Sequence, residues 1–212
     1  MKIRTLLFLG FLAFTSIGAS AQTNRESNGM WSYEGKNGEV NVGIHGAVGL
    51  DFTTIDNRTA GLLGAKIGFL FNEKLSVGVM GKGIWYDYRL KELATTGTYH
   101  GEGGYTGVYV TYYVPLGEYF KIGLSLSSGQ GIFQLKYDTK YTEELQWYET
   151  IIDQDDYAVL EPGIEVMIDF ASRWNVAVTS SYRNTSPVQI DGMAENALNG
   201  LNVGVCVGFD LF

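Results

Sequence analysis

From Val40 to Phe52 the even positions read Val40, Val42, Ile44, Gly46, Val48, Leu50 and Phe52, while the odd positions read Asn41, Gly43, His45, Ala47, Gly49 and Asp51. A period of two is the mark of a strand with one apolar face. The same alternation returns with apolar faces running Leu63 to Phe71, Leu75 to Trp85, Thr106 to Val114, Phe120 to Leu126, Leu160 to Phe170, Trp174 to Tyr182 and Leu201 to Leu211. Eight strands are therefore predicted, in an all-β chain.

Alternation alone does not say which face points inward, because a water-soluble barrel shows the same pattern turned inside out. Three features choose. The apolar faces carry no charged residue, as contact with hydrocarbon requires, since Lys or Arg at a bilayer midplane costs about 2–4 kcal/mol. The opposite faces are crowded with glycine (Gly49, Gly64, Gly68, Gly78, Gly107, Gly123, Gly204), which makes room inside a narrow barrel. Connections alternate between tight (Asn72 to Lys74, Pro115 to Glu118, Ala171 to Arg173) and long (Arg89 to Gly103, Lys136 to Asp156, Asn184 to Leu198), with Thr53 to Arg58 on the long side. That is the habit of membrane barrels, short turns on the periplasmic side and longer loops outside. Phe71, Phe120, Phe170, Trp174 and Phe209 then mark one interface, and Phe52, Trp85 and Tyr182 the other. Pro162 sits badly in a closed sheet, and its expected place at the outer rim predicts a bulge.

The chain has 212 residues, a single cysteine and a net charge of −8, which exclude an internal disulfide and the basic footprint of a nucleic-acid binder. Lys2 and Arg4 precede an apolar run to Phe14, and Ala19-Ser20-Ala21 supplies small residues for cleavage, so residues 1–21 read as a signal peptide. Residues 22–38 are polar and read as a flexible periplasmic lead, and residues 39–212 as the barrel. Beyond the signal no stretch approaches the roughly 18 apolar residues of a membrane helix, so any crossing is made by strands.

With these strands and its last strand Leu201 to Phe212 ending in an aromatic, the chain resembles the small eight-stranded outer-membrane barrels of Gram-negative bacteria, of the OmpX-like and OmpA transmembrane-domain type. The resemblance is architectural and covers residues 39–212. It implies an antiparallel up-and-down transmembrane barrel in the bacterial outer membrane, monomeric, in contact with lipid and lipopolysaccharide. One departure stands out: Asp210 occupies the third-last position, and Phe212 is out of phase with the apolar face.

Eight strands enclose a space that side chains fill. The inward charges are Lys66, Lys82, Lys121 and Arg183 against Asp51, Glu161, Glu165, Asp169 and Asp210, with His45 beside them. Buried charges persist when paired, so this near balance predicts a salt-bridge network plugging the lumen, with a narrow conduit for small apolar or ionic solutes as the alternative. A lipid-modifying enzyme is the other alternative. It needs a histidine beside a serine or carboxylate, and neither His45 nor His100 has a serine placed near it by sequence. No catalytic, cofactor or metal site is predicted, and Cys206 reads as a small inward filler. The longest loop brings together Tyr137, Tyr141, Trp147, Tyr148, Asp153, Asp155 and Asp156, around a tip at Glu143-Glu144. Aromatic area with acids predicts a two-stranded extension that contacts an extracellular protein or a cation-bridged ligand.

Overall fold

The computed structural model describes residues 30–35, 38–56, 58–86, 98–117, 119–138, 149–170, 173–190 and 192–211. They form β1 (Trp31–Gly35), β2 (Gly38–Ile55), β3 (Arg58–Phe71), β4 (Leu75–Tyr86), β5 (Thr98–Pro115), β6 (Phe120–Asp138), β7 (Glu149–Asp169), β8 (Trp174–Thr185) and β9 (Gly200–Leu211). From β2 onward each strand is antiparallel to the next, and β2 also pairs with β9, from Ile44 opposite Leu211 to Phe52 opposite Val203. Eight strands thus close into an up-and-down barrel.

β1 is a strand that alternation did not predict. It lies within the segment read as a flexible lead and pairs with the lower end of β2, Trp31 opposite Val42, where β9 has already ended. Five residues are too few for a period to declare itself, and the pairing that orders them is supplied by β2.

Side-chain direction follows parity. Val48, Ile67, Val79, Val108, Leu124, Val166, Val178 and Val205 are exposed on the outside, while His45, Leu70, Tyr109, Glu165 and Ala177 are buried within. A continuous apolar belt of this extent is a lipid-facing surface, far beyond the patches that water tolerates. Above the belt the polarity inverts. Phe133, Leu135, Tyr157 and Val159 point inward and are buried, whereas Gln130, Gln134 and Asp156 point outward. The inversion explains why β6 and β7 run past their predicted ends: there the apolar positions change parity relative to the membrane-facing segments.

At the lower rim the connections are tight. Asn72 and Glu73 both adopt left-handed φ values of 50° and 57°, and Lys74 N–H donates to Phe71 O at 2.9 Å, the mirror-type turn that matches strand twist. Gly68 stands opposite Gly78, and a Cβ on either would run into the other strand's backbone, so the sheet closes up there as only glycine allows. Pro162 corrects the expectation. It lies mid-strand, opposite Leu126, and on the β8 side pairing passes from Leu160/Asn184 to Gly163/Ser181 with unchanged register. The missing N–H is accommodated by omitting ladder positions. The register shift falls instead between Leu135 and Lys136, whose partners are Asp153 and Ile151.

Candidate functional site

Two charged layers cross the lumen. In the upper one Lys82 Nζ lies 2.7 Å from Glu161 Oε1 and 2.9 Å from Asp51 Oδ2, joining β4, β7 and β2. Glu161 is the hub: Oε1 also accepts from Ser181 Oγ and from Asn202 Nδ2 at 3.0 Å, and Oε2 accepts from the Tyr105 hydroxyl at 2.5 Å. Thr179 Oγ1 donates to Asp51 Oδ1 at 3.0 Å. In the lower layer Lys66 Nζ lies 3.1 and 3.0 Å from the two oxygens of Glu165 and 5.5 Å from the centre of the Tyr109 ring. A cavity of about 110 Å³, bordered by both lysines and by Asp51, Glu161 and Glu165, lies between the layers.

Toward the lower rim His45 Nδ1 is 2.6 Å from Asp210 Oδ1, and Asn175 Nδ2 donates to Asp210 Oδ2 at 3.0 Å. The acid at the third-last position is therefore a lumen residue with buried partners, which accounts for its departure from an all-apolar ending. Lys121 Nζ and Asp169 Oδ2 meet at 2.8 Å in a more open setting.

Arg183 behaves differently from the three lysines. Its Nε donates to Leu198 O at 2.6 Å and its Nη2 to Thr53 Oγ1 at 3.4 Å. Among the described residues Nη1 has no hydrogen-bond partner, and the residue is wholly buried. Glu161, the acid of the upper layer, is already saturated by Lys82, Tyr105, Ser181 and Asn202.

The β8–β9 connection, expected as an external loop from Asn184 to Leu198, folds back into the barrel mouth. Val188, Ile190 and Leu198 are buried in one cluster with Ile55, Leu62, Ile84, Phe133 and Leu135. Asn199 Oδ1 accepts from Thr185 N and Oγ1 at 2.7 and 2.8 Å, Ser186 N donates to Ala158 O at 2.9 Å, and Gln189 N donates to Asp155 Oδ2 at 2.6 Å. An apolar lid thus sits directly above the charged layers. Sequence reading missed it, although Val188, Ile190, Met193 and Leu198 are more apolar than a solvated loop needs.

Beside the lid the β6–β7 hairpin stands tall, with pairing continuing to Asp138 opposite Glu149. Tyr137 lies in β6 opposite Thr150, whereas Tyr141, Trp147, Tyr148 and the Glu143-Glu144 tip fall outside the described residues. Asp153 Oδ1 accepts from Gln154 N, and Asp155 Oδ1 from Asp156 N, both at 2.9 Å. Lys136 Nζ pairs with Glu102 Oε2 at 2.7 Å, and Gln134 Nε2 donates to Gln154 Oε1 at 2.7 Å.

No family sequence model matches the chain, and no curated protein matches its sequence. Solved structures do match in shape. A major outer membrane protein from Thermus thermophilus aligns with a TM-score of 0.54 at 10% identity, over 79% of this chain and 99% of its own. The attachment invasion locus protein Ail of Yersinia pestis, solved with the heparin analogue sucrose octasulfate, gives a TM-score of 0.47 at 11% identity, over 80% and 97%. The N-terminal β-barrel domain of Pseudomonas aeruginosa OprF gives 0.44 at 11% identity, over 78% and 96%. The chain has the fold of a small outer-membrane β-barrel.

On this outer-membrane barrel fold the histidines sit apart. His45 is buried against Asp210 and the edge of the Tyr113 ring, at 6.1 Å between centroids, and among the described residues its Nε2 has no hydrogen-bond partner. His100 Nε2 lies 3.6 Å from Glu102 Oε1 at the upper rim. Among the described residues neither has a serine as polar partner. Cys206 is buried, its side chain bordering the central cavity.

Proposed function

We propose that this chain is a non-enzymatic barrel of the bacterial outer membrane, exported by cleavage of residues 1–21, whose lumen is a plug and whose upper rim is a contact surface. The carrying observation is the contrast between two surfaces of one wall: an uncharged lipid-facing belt, and above it a β6–β7 hairpin that continues in polar and acidic residues. Stability does not require a strand pair to continue beyond the bilayer, and long external segments are where such folds carry function. Two layers of paired charge and an apolar lid support the plug, because a solute has to displace all three to pass.

The partner surface is acidic and bears Ile151 and Ile152 exposed beside the register shift, with Asp153, Asp155 and Asp156 close in sequence. Such a surface repels anionic lipopolysaccharide and favours a basic extracellular protein or a cation-bridged ligand. The cavity between the charged layers favours a second reading, a narrow conduit for small solutes.

One pair of measurements separates them. The purified barrel in planar bilayers is expected to show no stable nanosiemens conductance, and cells expressing a Thr139 to Ile152 deletion are expected to assemble the barrel yet lose adhesion to host cells or matrix. Stable conductance by the unmodified protein favours the conduit, and adhesion unchanged by the deletion removes the hairpin from the reading.

A further inference from the structure

The barrel mouth combines three features that a plug alone does not need. The first is Arg183, a wholly buried guanidinium whose Nη1 has no hydrogen-bond partner among the described residues and whose described partners are a carbonyl and a hydroxyl rather than a carboxylate. Among the described residues no carboxylate bonds to it, a costly state for a buried cation, and a carboxylate is the group that a guanidinium fork binds best. The second is the apolar cluster around it, in which Leu62, Ile84, Phe133 and Leu135 of the wall pack against Val188, Ile190 and Leu198 of the lid. The third is the lid, which lies outside the sheet. Residues 186–190 and 192–199 join no ladder, and a turn at Gly192, with φ of 80° and Met193 N–H donating to Ile190 O at 3.1 Å, forms the tip.

Lifting this segment breaks its hydrogen bonds and exposes Val188, Ile190 and Leu198, a loss that an apolar ligand taking their place offsets, and it leaves every strand pair intact. What it uncovers is the apolar inner wall formed by Leu62, Ile84, Phe133 and Leu135, with Arg183 freed from Leu198 O beside it. Apolar walls with one well-placed polar group are the usual make-up of a small-molecule site.

We propose that the mouth beneath the lid binds a small amphiphilic carboxylate, its anion on Arg183 and its apolar part replacing Val188 and Leu198 against Phe133 and Leu135. The lid covers the upper, water-facing end of the barrel, so the ligand arrives from solution rather than from the bilayer. This site is separate from the hairpin surface proposed above, and either stands if the other fails. Neutral and cationic molecules of the same shape gain the apolar contacts but leave Arg183 without its anion.

The test uses the full mature protein in lipid nanodiscs, with empty nanodiscs subtracted, titrated with 4-phenylbutyrate, 4-phenylbutanol and 4-phenylbutylamine. The acid is expected to bind saturably and at least about tenfold more tightly than the alcohol or the amine, a difference of about 1.4 kcal/mol. Arg183→Gln is expected to erase that difference. Hydrogen exchange in peptides spanning residues 186–199 is expected to quicken on addition of the acid, with the strand peptides unchanged. Absence of saturable binding, equal affinity for acid and alcohol, or a lid whose exchange ignores the acid overturns the proposal. If Arg183→Gln does not reach the folded form, the ligand comparison and the exchange measurement on the unmodified protein decide.

Discussion

Lys66 on β3 and Glu165 on β7 are separated by 99 residues of chain, yet Lys66 Nζ lies within 3.1 Å of both Glu165 oxygens. The pair spans the lumen. Glu165 is almost fully buried and its partner mostly so, which puts the pair among those whose value depends on staying whole. Lys66→Met alone is expected to destabilise the barrel by about 3–5 kcal/mol, because a buried carboxylate is left behind. Lys66→Met with Glu165→Gln is expected to cost less than the sum of the single changes. Urea unfolding of the barrel in lipid vesicles measures both, and additive losses contradict the coupling.

Val166 is exposed on the apolar belt, and Gln130 is exposed above it. Val166→Arg is expected to cost about 2–4 kcal/mol if it meets hydrocarbon near the midplane. Gln130→Arg, in the polar zone, is expected to stay within about 0.5 kcal/mol of the parent. The same unfolding assay compares them, and equal effects are inconsistent with the belt being the lipid-facing surface.

Gly78 and Gly83 lie on one strand but face different surroundings. A Cβ at Gly78 runs into the backbone of Ile67 and Gly68, whereas at Gly83 the nearest atom is Leu63 O at 4.0 Å. Gly78→Ala is expected to lose about 1–3 kcal/mol through overpacking. Gly83→Ala is expected to be neutral or to gain a few tenths of a kcal/mol from the stiffer unfolded chain. Folding yield on heat-modifiable gels and the urea midpoint distinguish the two outcomes.

Asp210 joins the barrel's closing strands, accepting from Asn175 and contacting the fully buried His45 on β2. Asp210→Ala leaves those polar groups without an acceptor and is expected to cost about 1–3 kcal/mol. Asp169→Ala breaks the more open Lys121 pair and is expected to cost about 0–1 kcal/mol. A reversed order in the unfolding midpoints contradicts the burial argument.

Period-two alternation was enough to establish most of the strands, the direction of their side chains and the inward set from His45 to Asp210, because parity is a local property of an extended chain. The lipid-facing choice was also legible, since hydrocarbon excludes charge from every outward position of the belt. Which inward charges meet was not. Parity places Lys66 and Glu165 on the same side of the wall, but the height at which each strand stands is set by tilt and stagger around the closed sheet. That geometry joined Lys82 to two acids and left Arg183 against a backbone carbonyl. β1 and the lid lay further from view: five residues ordered by a neighbour's edge, and an irregular segment whose apolar side chains find their place only in the mouth of the assembled barrel. Tertiary structure decided these because their partners lie on strands distant in sequence, and it was barrel closure that brought them within reach.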